Sequence, residues 1–153
     1  MYPIEFDDSV IDFSIVLKFN KEKKLPKLER VWAIAETFHN AASQLDHNQV
    51  AIEEPFYSHG KSNPRHMGSV YMMFGILTYL LNTSGHKVII VHNRTVKKLA
   101  GYKQGDKSTK DQMVKAYEDR VGRLPNHPAK YGRETLADSY FIALAGLETL
   151  KKK

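Results

Sequence analysis

The sequence predicts an α/β fold, organised as one domain over residues 1–153. Segments 10–19 and 87–92 are rich in β-branched and aromatic residues, which is typical of strands. Apolar residues recur at helical spacing between these segments and again near the C-terminus. Strands that alternate with helices indicate an α/β domain, and 153 residues are enough for one hydrophobic core.

In the first half of the chain, the predicted strand 10–19 is followed by a helix with Pro26 in its first turn. A short strand over 50–56 comes next, and Pro55 is expected to end it. The apolar face of the helix is formed by residues at helical spacing, namely Leu28, Trp32, Ala35, Phe38, Ala42 and Leu45.

The pair Asn63-Pro64 suits the cap and first position of another helix. Its segment 67–81 is apolar almost all round, so we expect it to be buried against a sheet or a partner subunit. The following segment, 87–92, is continuously apolar between its ends. It therefore predicts a fully buried strand of a parallel sheet.

The C-terminal third predicts two further helices. Ser108 or Thr109 caps the first, which runs to about Val121 and stops at Gly122. The second begins at about Arg133, after a loop with two prolines. Its expected buried face consists of Leu136, Tyr140, Ala143, Leu144 and Leu147.

The composition excludes several kinds of site. The chain has no cysteine, which rules out a disulfide scaffold, a zinc ribbon and a cysteine nucleophile. Its seven histidines form no recognisable zinc-binding spacing. The longest apolar stretch, 67–81, is too short to span a bilayer, and the acidic start lacks the apolar core of a signal peptide. We therefore expect a cytoplasmic protein with no membrane partner.

The charge is unevenly distributed along the chain. Lys and Arg number 23 against 17 Asp and Glu, a net charge of +6. Between Lys87 and Arg133, twelve basic residues face four acidic ones, a local charge of +8. Such a block favours a polyanion partner, most simply nucleic acid, although a solvated basic face has the same composition.

Carboxylates occupy two unusual positions. Glu53 and Glu54 end an otherwise apolar strand, where ligands of α/β sheets commonly bind, or one of them simply faces water. Glu134 and Asp138 lie four residues apart on one helix face. The helix dipole accounts for Glu134 but less well for Asp138, which lies one turn further in and needs a partner or a metal. Carboxylate oxygens suit Mg²⁺, so the pattern is consistent with a metal-dependent nuclease.

The basic block supplies candidate DNA-binding residues. Lys107 and Lys110 lie at a predicted helix start, where free backbone N–H groups also favour phosphate. Lys97, Lys98 and Lys103 lie just upstream, within a few residues of the same loop. Lysines bound to phosphate give affinity without sequence readout. The neighbouring Tyr102 either stacks on a base or packs in the loop.

These segments, in this order, resemble the RuvC family of Holliday junction resolvases in the RNase H-like superfamily. The resemblance covers roughly 10–146 and is closest to phage members. No single motif is specific, but the ordered set is. The matching segments are Ala-Ile-Glu-Glu at 51–54, the apolar helix 67–81, Val-Ile-Ile-Val at 88–91, Val-Lys-Lys-Leu-Ala-Gly at 96–101, Gly-Asp-Lys-Ser at 105–108 and Leu-Ala-Asp-Ser-Tyr-Phe-Ile-Ala-Leu-Ala at 136–145.

The resemblance implies a mixed RNase H-like sheet flanked by helices and Mg²⁺-dependent cleavage of four-way DNA junctions by a homodimer. It also implies two ions held by four carboxylates, with Mn²⁺ able to replace Mg²⁺, in a bacterial or phage-infected cytoplasm. Glu53 falls on the second carboxylate of the family and Asp138 on the last. Lys107 and Lys110 fall in the region that grips the junction.

The sequence departs from the family at two positions. Thr135 stands where the family has an aspartate three residues before Asp138, and Glu134, one position away, is the candidate substitute. Segment 10–14 resembles the third strand of the family, so we expect the first strand, with its Asp-x-Gly, to be missing or atypical. Two alternatives to an active resolvase follow: a junction-binding relative without a complete metal site, or a fragment that depends on a partner.

Overall fold

The computed structural model describes residues 25–44, 48–56, 63–103 and 109–152. The predicted strand 10–19 and the candidate Lys107 lie outside the described residues. Five helices and two strands occupy the described part of the chain. In chain order they are α1 (Lys27–Ser43), β1 (Gln49–Glu53), α2 (Pro64–Thr83), β2 (Lys87–Val91), α3 (Asn93–Leu99), α4 (Lys110–Val121) and α5 (Lys130–Lys151).

The strands β1 and β2 pair in parallel, as the sequence predicts for 87–92, with α2 as the crossover between them. The register runs from Gln49 opposite Lys87 to Glu53 opposite Val91. One more hydrogen bond extends the pairing, since the Glu54 N–H donates to the Val91 carbonyl at 2.9 Å. The carboxyl ends of both strands are therefore held side by side.

Helices cover the two faces of this strand pair. On one face, α5 lies so close to β1 that a Cβ atom added at Gly146 would come within 2.7 Å of the Ala51 Cβ. The helix α2 contacts β2, and α1 packs along α2. Because Ile52 points to the opposite side of the strand from Ala51, it meets the α2 layer.

One cluster of buried side chains joins the sheet to α3, α4 and α5. Tyr117 and Phe141 are its largest members, each 1% exposed. Edge-to-face ring contacts join Tyr117 to Tyr140 and Tyr140 to Phe141, with centroids 5.1 and 5.2 Å apart. The buried residues of the cluster are Ile89, Val91, Val96, Met113, Tyr117, Ala137, Phe141, Leu144 and Ala145.

Two burial predictions are wrong in part. The helix α2 exposes Tyr71, Met72 and Tyr79, although Leu81 near its end is buried. The strand β2 buries Ile89 and Val91 but leaves Ile90 37% exposed, so it alternates instead of being buried on both faces. In both elements apolar composition overstates burial, because one face of α2 and the Ile90 position of β2 are incompletely covered by their neighbours.

The ends of α4 match the prediction, whereas α5 differs from the prediction in its first residue and in its buried face. Thr109 caps α4 in a reciprocal arrangement with Gln112, and Gly122 ends that helix in the left-handed conformation at φ 79°. The helix α5 begins at Lys130, about one turn before the predicted Arg133. Its buried face also differs: Leu136 and Leu144 are buried as expected, but the remaining positions are Gly132, Ala137, Phe141, Ala145 and Gly146, and not Tyr140, Ala143 and Leu147.

Among the described residues, no helix combines the length and the hydropathy that crossing a bilayer requires.

Candidate active site

A cleft of about 220 Å³ opens at the carboxyl end of β1. The end of β1, the start of α3, the start of α4 and the middle of α5 form its walls. It combines two carboxylates with two lysines, which gives it both ligands for a cation and partners for an anion. The lining residues are Glu53, Asn93, Val96, Lys97, Tyr102, Thr109, Lys110, Met113, Asp138 and Ile142.

Glu53 is the last residue of β1, and the parallel pairing fixes its position. It lies on the same side of the strand as Ala51, which packs against α5, so its carboxylate belongs to the α5 side of the sheet. Its Oε1 accepts a hydrogen bond of 2.6 Å from the Asn93 Nδ2. This glutamate is thus half-buried and oriented, unlike a residue that merely ends a strand in water.

Asp138 reaches the same cleft from α5. Burial raises the pKa of its carboxyl above the ordinary value, the Lys110 ammonium lowers it, and the carboxylates of Glu53 and Glu134 raise it further. The net effect is a raised pKa, because burial and two like charges outweigh one cation. Asp138 is therefore a half-buried acid whose ionised form is disfavoured by burial and by two neighbouring carboxylates.

Glu134 lies at the margin of this group and does not line the cleft. Its side chain is 14% exposed, and its two oxygens lie 3.9 Å from the ammonium groups of Lys110 and Lys130. Lys130 also pairs with Asp111 at 2.8 Å. Of the three predicted acids, the structure brings Glu53 and Asp138 together, while Glu134 is engaged by lysines.

A hard divalent cation fits the donor set of the cleft only in part. Over the residues that the structure describes, no three acids, histidines or cysteines group closely enough to hold a metal ion. Two carboxylates nevertheless face one cleft, and Mg²⁺ commonly binds one or two protein carboxylates while retaining water and substrate oxygens. Glu53 and Asp138 thus provide a partial site that water and phosphate oxygens would complete.

The predicted DNA-binding residues fall into two groups. Lys97 and Lys110 line the cleft, and the Lys110 side chain is 63% exposed. Lys98 and Lys103 are exposed on the surrounding surface, outside the cleft lining. Two lysines therefore lie where a phosphate would approach the carboxylates.

Tyr102 packs within the protein. Its ring contacts the core cluster, and its hydroxyl donates a hydrogen bond of 2.6 Å to the Thr109 carbonyl. Burial and the neighbouring Asp138 carboxylate raise the pKa of the Tyr102 hydroxyl. These contacts favour the alternative in which Tyr102 packs against the protein over stacking on a base.

Three side chains that sequence reasoning missed also belong to this region. Asn93 binds Glu53, and the imidazole Nδ1 of His92 lies 2.7 Å from the Glu54 carboxylate. Phe56, which is 69% exposed, lies in the wall of an adjoining pocket of about 250 Å³ between the end of β1 and α2. The position of an apolar residue just after a strand end is the one sequence feature that could have pointed to Phe56. No spacing pattern in the sequence points to Asn93.

The α/β fold of the described residues is similar to that of RuvC. Two solved structures match it, each with a TM-score of 0.58. The Thermus thermophilus RuvC structure is 20% identical, over 86% of this chain and 77% of that one. The T. thermophilus RuvC in complex with a Holliday junction substrate is 17% identical, over 85% and 77%. No protein-family model and no curated protein matches the sequence.

Proposed function

We propose that the protein is a structure-selective endonuclease that cleaves four-way (Holliday) DNA junctions in a Mg²⁺-dependent reaction, with Mn²⁺ able to replace Mg²⁺. The observation that carries the proposal is the meeting of Glu53 and Asp138 in one lysine-lined cleft. A RuvC-like fold at 17–20% identity supports the same assignment. The two carboxylates come from a strand end and from a helix far away in the sequence, and the fold brings them into one cleft.

Each part of the cleft has a distinct task in this proposal. Glu53 and Asp138 would hold the cation, which when bound supplies Lewis-acid polarisation of the phosphodiester. Lys97 and Lys110 attract the phosphate and offset the negative charge that it brings to the two carboxylates. Phe56 offers an exposed ring in the adjoining pocket between β1 and α2, on which an unpaired base of the junction can stack.

We propose that the wider basic surface binds the junction arms. Lys98, Lys103 and Lys107 add phosphate contacts that carry no sequence information, so affinity should fall steeply with salt. A four-way junction needs two symmetric cuts, and a homodimer would supply two clefts. The exposed face of α2, with Tyr71, Met72 and Tyr79, offers an apolar surface for that pairing. Light scattering of the purified protein would measure its oligomeric state.

The test is cleavage of a synthetic four-way junction, followed on a denaturing gel with and without Mg²⁺. Glu53→Gln and Asp138→Asn each remove one charged ligand while keeping size, and we expect each to lower the single-turnover rate at least 10³-fold, an order-of-magnitude figure. The matched control is Glu148→Gln, near the far end of α5, where Glu148 pairs only with the exposed Lys151 at 3.1 Å among its described contacts. Wild-type rates in either cleft variant would refute the assignment.

A second candidate function is junction binding without cleavage. The observation that favours it is the incomplete ligand set, since the described residues offer no group of three metal-binding side chains. This candidate expects salt-sensitive binding of the junction, with no product in Mg²⁺ or Mn²⁺. Cleavage by the wild type that requires Glu53 and Asp138 would eliminate it.

A further inference from the structure

We propose that Asn93 is a positioning residue that orients the carboxylate of Glu53. Its side-chain amide binds one carboxylate oxygen and leaves the second available to a cation. The inference rests on the proposed function of Glu53 as a metal ligand, and it extends that function to a residue with no expected role.

The contact joins two points that the fold holds rigidly. The Asn93 Nδ2 donates to the Glu53 Oε1 at 2.6 Å, across 40 residues of sequence. Glu53 is opposite Val91 in the sheet, and Asn93 opens α3 two residues beyond Val91. The buried Val96, 3% exposed, anchors the same helix in the core. The backbone at both ends of the hydrogen bond is therefore held by the fold, through the sheet at Glu53 and through the core contact of α3 at Asn93.

The chemistry of the donor matters as much as its position. Glu54 is paired with an imidazole, and Glu134 lies near two lysines, so those carboxylates face groups that carry or can gain positive charge. Glu53 receives its described hydrogen bond from a neutral amide. An amide fixes the orientation of the carboxylate without cancelling its charge, which is what a cation ligand requires.

A free glutamate at a strand end would sample several rotamers, and binding a cation would have to order it. The hydrogen bond from Asn93 fixes the orientation of the Glu53 carboxylate before a cation binds, as residues that hydrogen-bond to metal ligands commonly do. Loss of such a supporting contact typically lowers metal affinity or activity about 10–100-fold. The same loss should leave DNA binding intact, because Asn93 carries no charge for phosphate.

The experiment compares Asn93→Ala and Asn93→Leu with the wild type and with Asn82→Ala, a control at an exposed asparagine near the end of α2. The leucine variant keeps the side-chain volume but cannot donate, so it separates the hydrogen bond from packing. Mn²⁺ binding to the metal-free protein is measured by electron paramagnetic resonance without DNA. Single-turnover cleavage in Mg²⁺ and junction affinity in Ca²⁺ are measured in parallel.

We expect both Asn93 variants to bind Mn²⁺ about 10–100-fold more weakly and to cleave more slowly, with junction affinity within about twofold of the wild type. In a Glu53→Gln background, Asn93→Ala should cause no further loss, because the residue acts through Glu53. Unchanged Mn²⁺ affinity in the leucine variant, or a full additional loss in that background, would overturn the positioning role.

The outcomes also separate this inference from the proposed function. If the wild type binds Mn²⁺ but cuts no junction, the proposed nuclease fails, and the Mn²⁺ affinities of the variants still decide the role of Asn93. If the wild type cuts and the leucine variant binds Mn²⁺ equally well, the nuclease stands and the positioning role fails. Absence of Mn²⁺ binding by the wild type, measured both without the junction and with it bound, would overturn both.

Discussion

Replacing Gly146 with alanine tests the packing that brings Asp138 to Glu53. The added Cβ would lie 2.7 Å from the Ala51 Cβ, whereas unbonded carbon atoms prefer about 3.5–4.0 Å. The helix α5 must therefore move away from β1 by about 1 Å. Asp138 lies eight residues earlier on the same helix, so the displacement is transmitted to the cleft.

The expected change in stability is the difference between two terms. Overpacking of a tight contact costs about 1–3 kcal/mol, while replacing glycine by alanine inside a helix returns about 1 kcal/mol. The net loss is about 1 kcal/mol, which lowers the Tm by about 2–4 °C in a chain of this size. Misplacing a catalytic group by about 1 Å can lower the cleavage rate about 100-fold.

The matched control is Gly75→Ala in α2. No atom lies within 4 Å of the Cβ that this change adds, so only the helix-propensity term applies and the Tm should rise by about 2–4 °C. Thermal melts followed by circular dichroism measure both variants. Adding Ala51→Gly to Gly146→Ala removes the clash and should restore cleavage. An equal rise in Tm for the two alanine variants would refute the close contact between α5 and β1.

Two further predictions concern charge in the cleft. Because the pKa of Asp138 is raised in the folded state, its contribution to stability is present at acid pH and is lost as the pH rises through that pKa. In EDTA at pH 7, Asp138→Asn should therefore raise the Tm, because it removes a charge that burial and two neighbouring carboxylates disfavour. The difference in Tm between the variant and the wild type should disappear at acid pH, which thermal melts across pH would check. Lys97→Ala should reduce the salt dependence of junction binding by about one phosphate contact and should also slow cleavage. Lys98→Ala, outside the cleft, should weaken binding only. Equal cleavage rates for the two variants would contradict a role for Lys97 in the cleft.

The sequence predicted the parts of the site that depend on local patterns. A glutamate at the end of an apolar strand and an aspartate beside the apolar face of a helix are unusual wherever they occur, so Glu53 and Asp138 could be singled out as candidates without coordinates. The capping of α4 by Thr109 and its stop at Gly122 were predictable for the same reason, since turn chemistry is local.

The rest depends on tertiary packing that spacing does not encode. The bond between Asn93 and Glu53 joins residues 40 positions apart, and only the parallel register makes them neighbours. The predicted buried face of α5 is right at Leu136 and Leu144 and wrong at Tyr140, Ala143 and Leu147. The most completely buried residues of the helix are Ala137, Phe141 and Ala145. Several faces of this helix carry apolar residues, and the position of the sheet decides which one is buried.

The register of β1 gives the adjacent pair Glu53 and Glu54 different surroundings. Successive strand residues point to opposite faces, so Glu53 meets Asn93 in the cleft while Glu54 meets His92. A one-residue slip of β1 would bring Glu54 to the position of Glu53, but it would also bring Ile52 to the position of Ala51, against Gly146 of α5. The close contact between α5 and β1 therefore selects the register in which Glu53, and not its neighbour Glu54, faces the cleft.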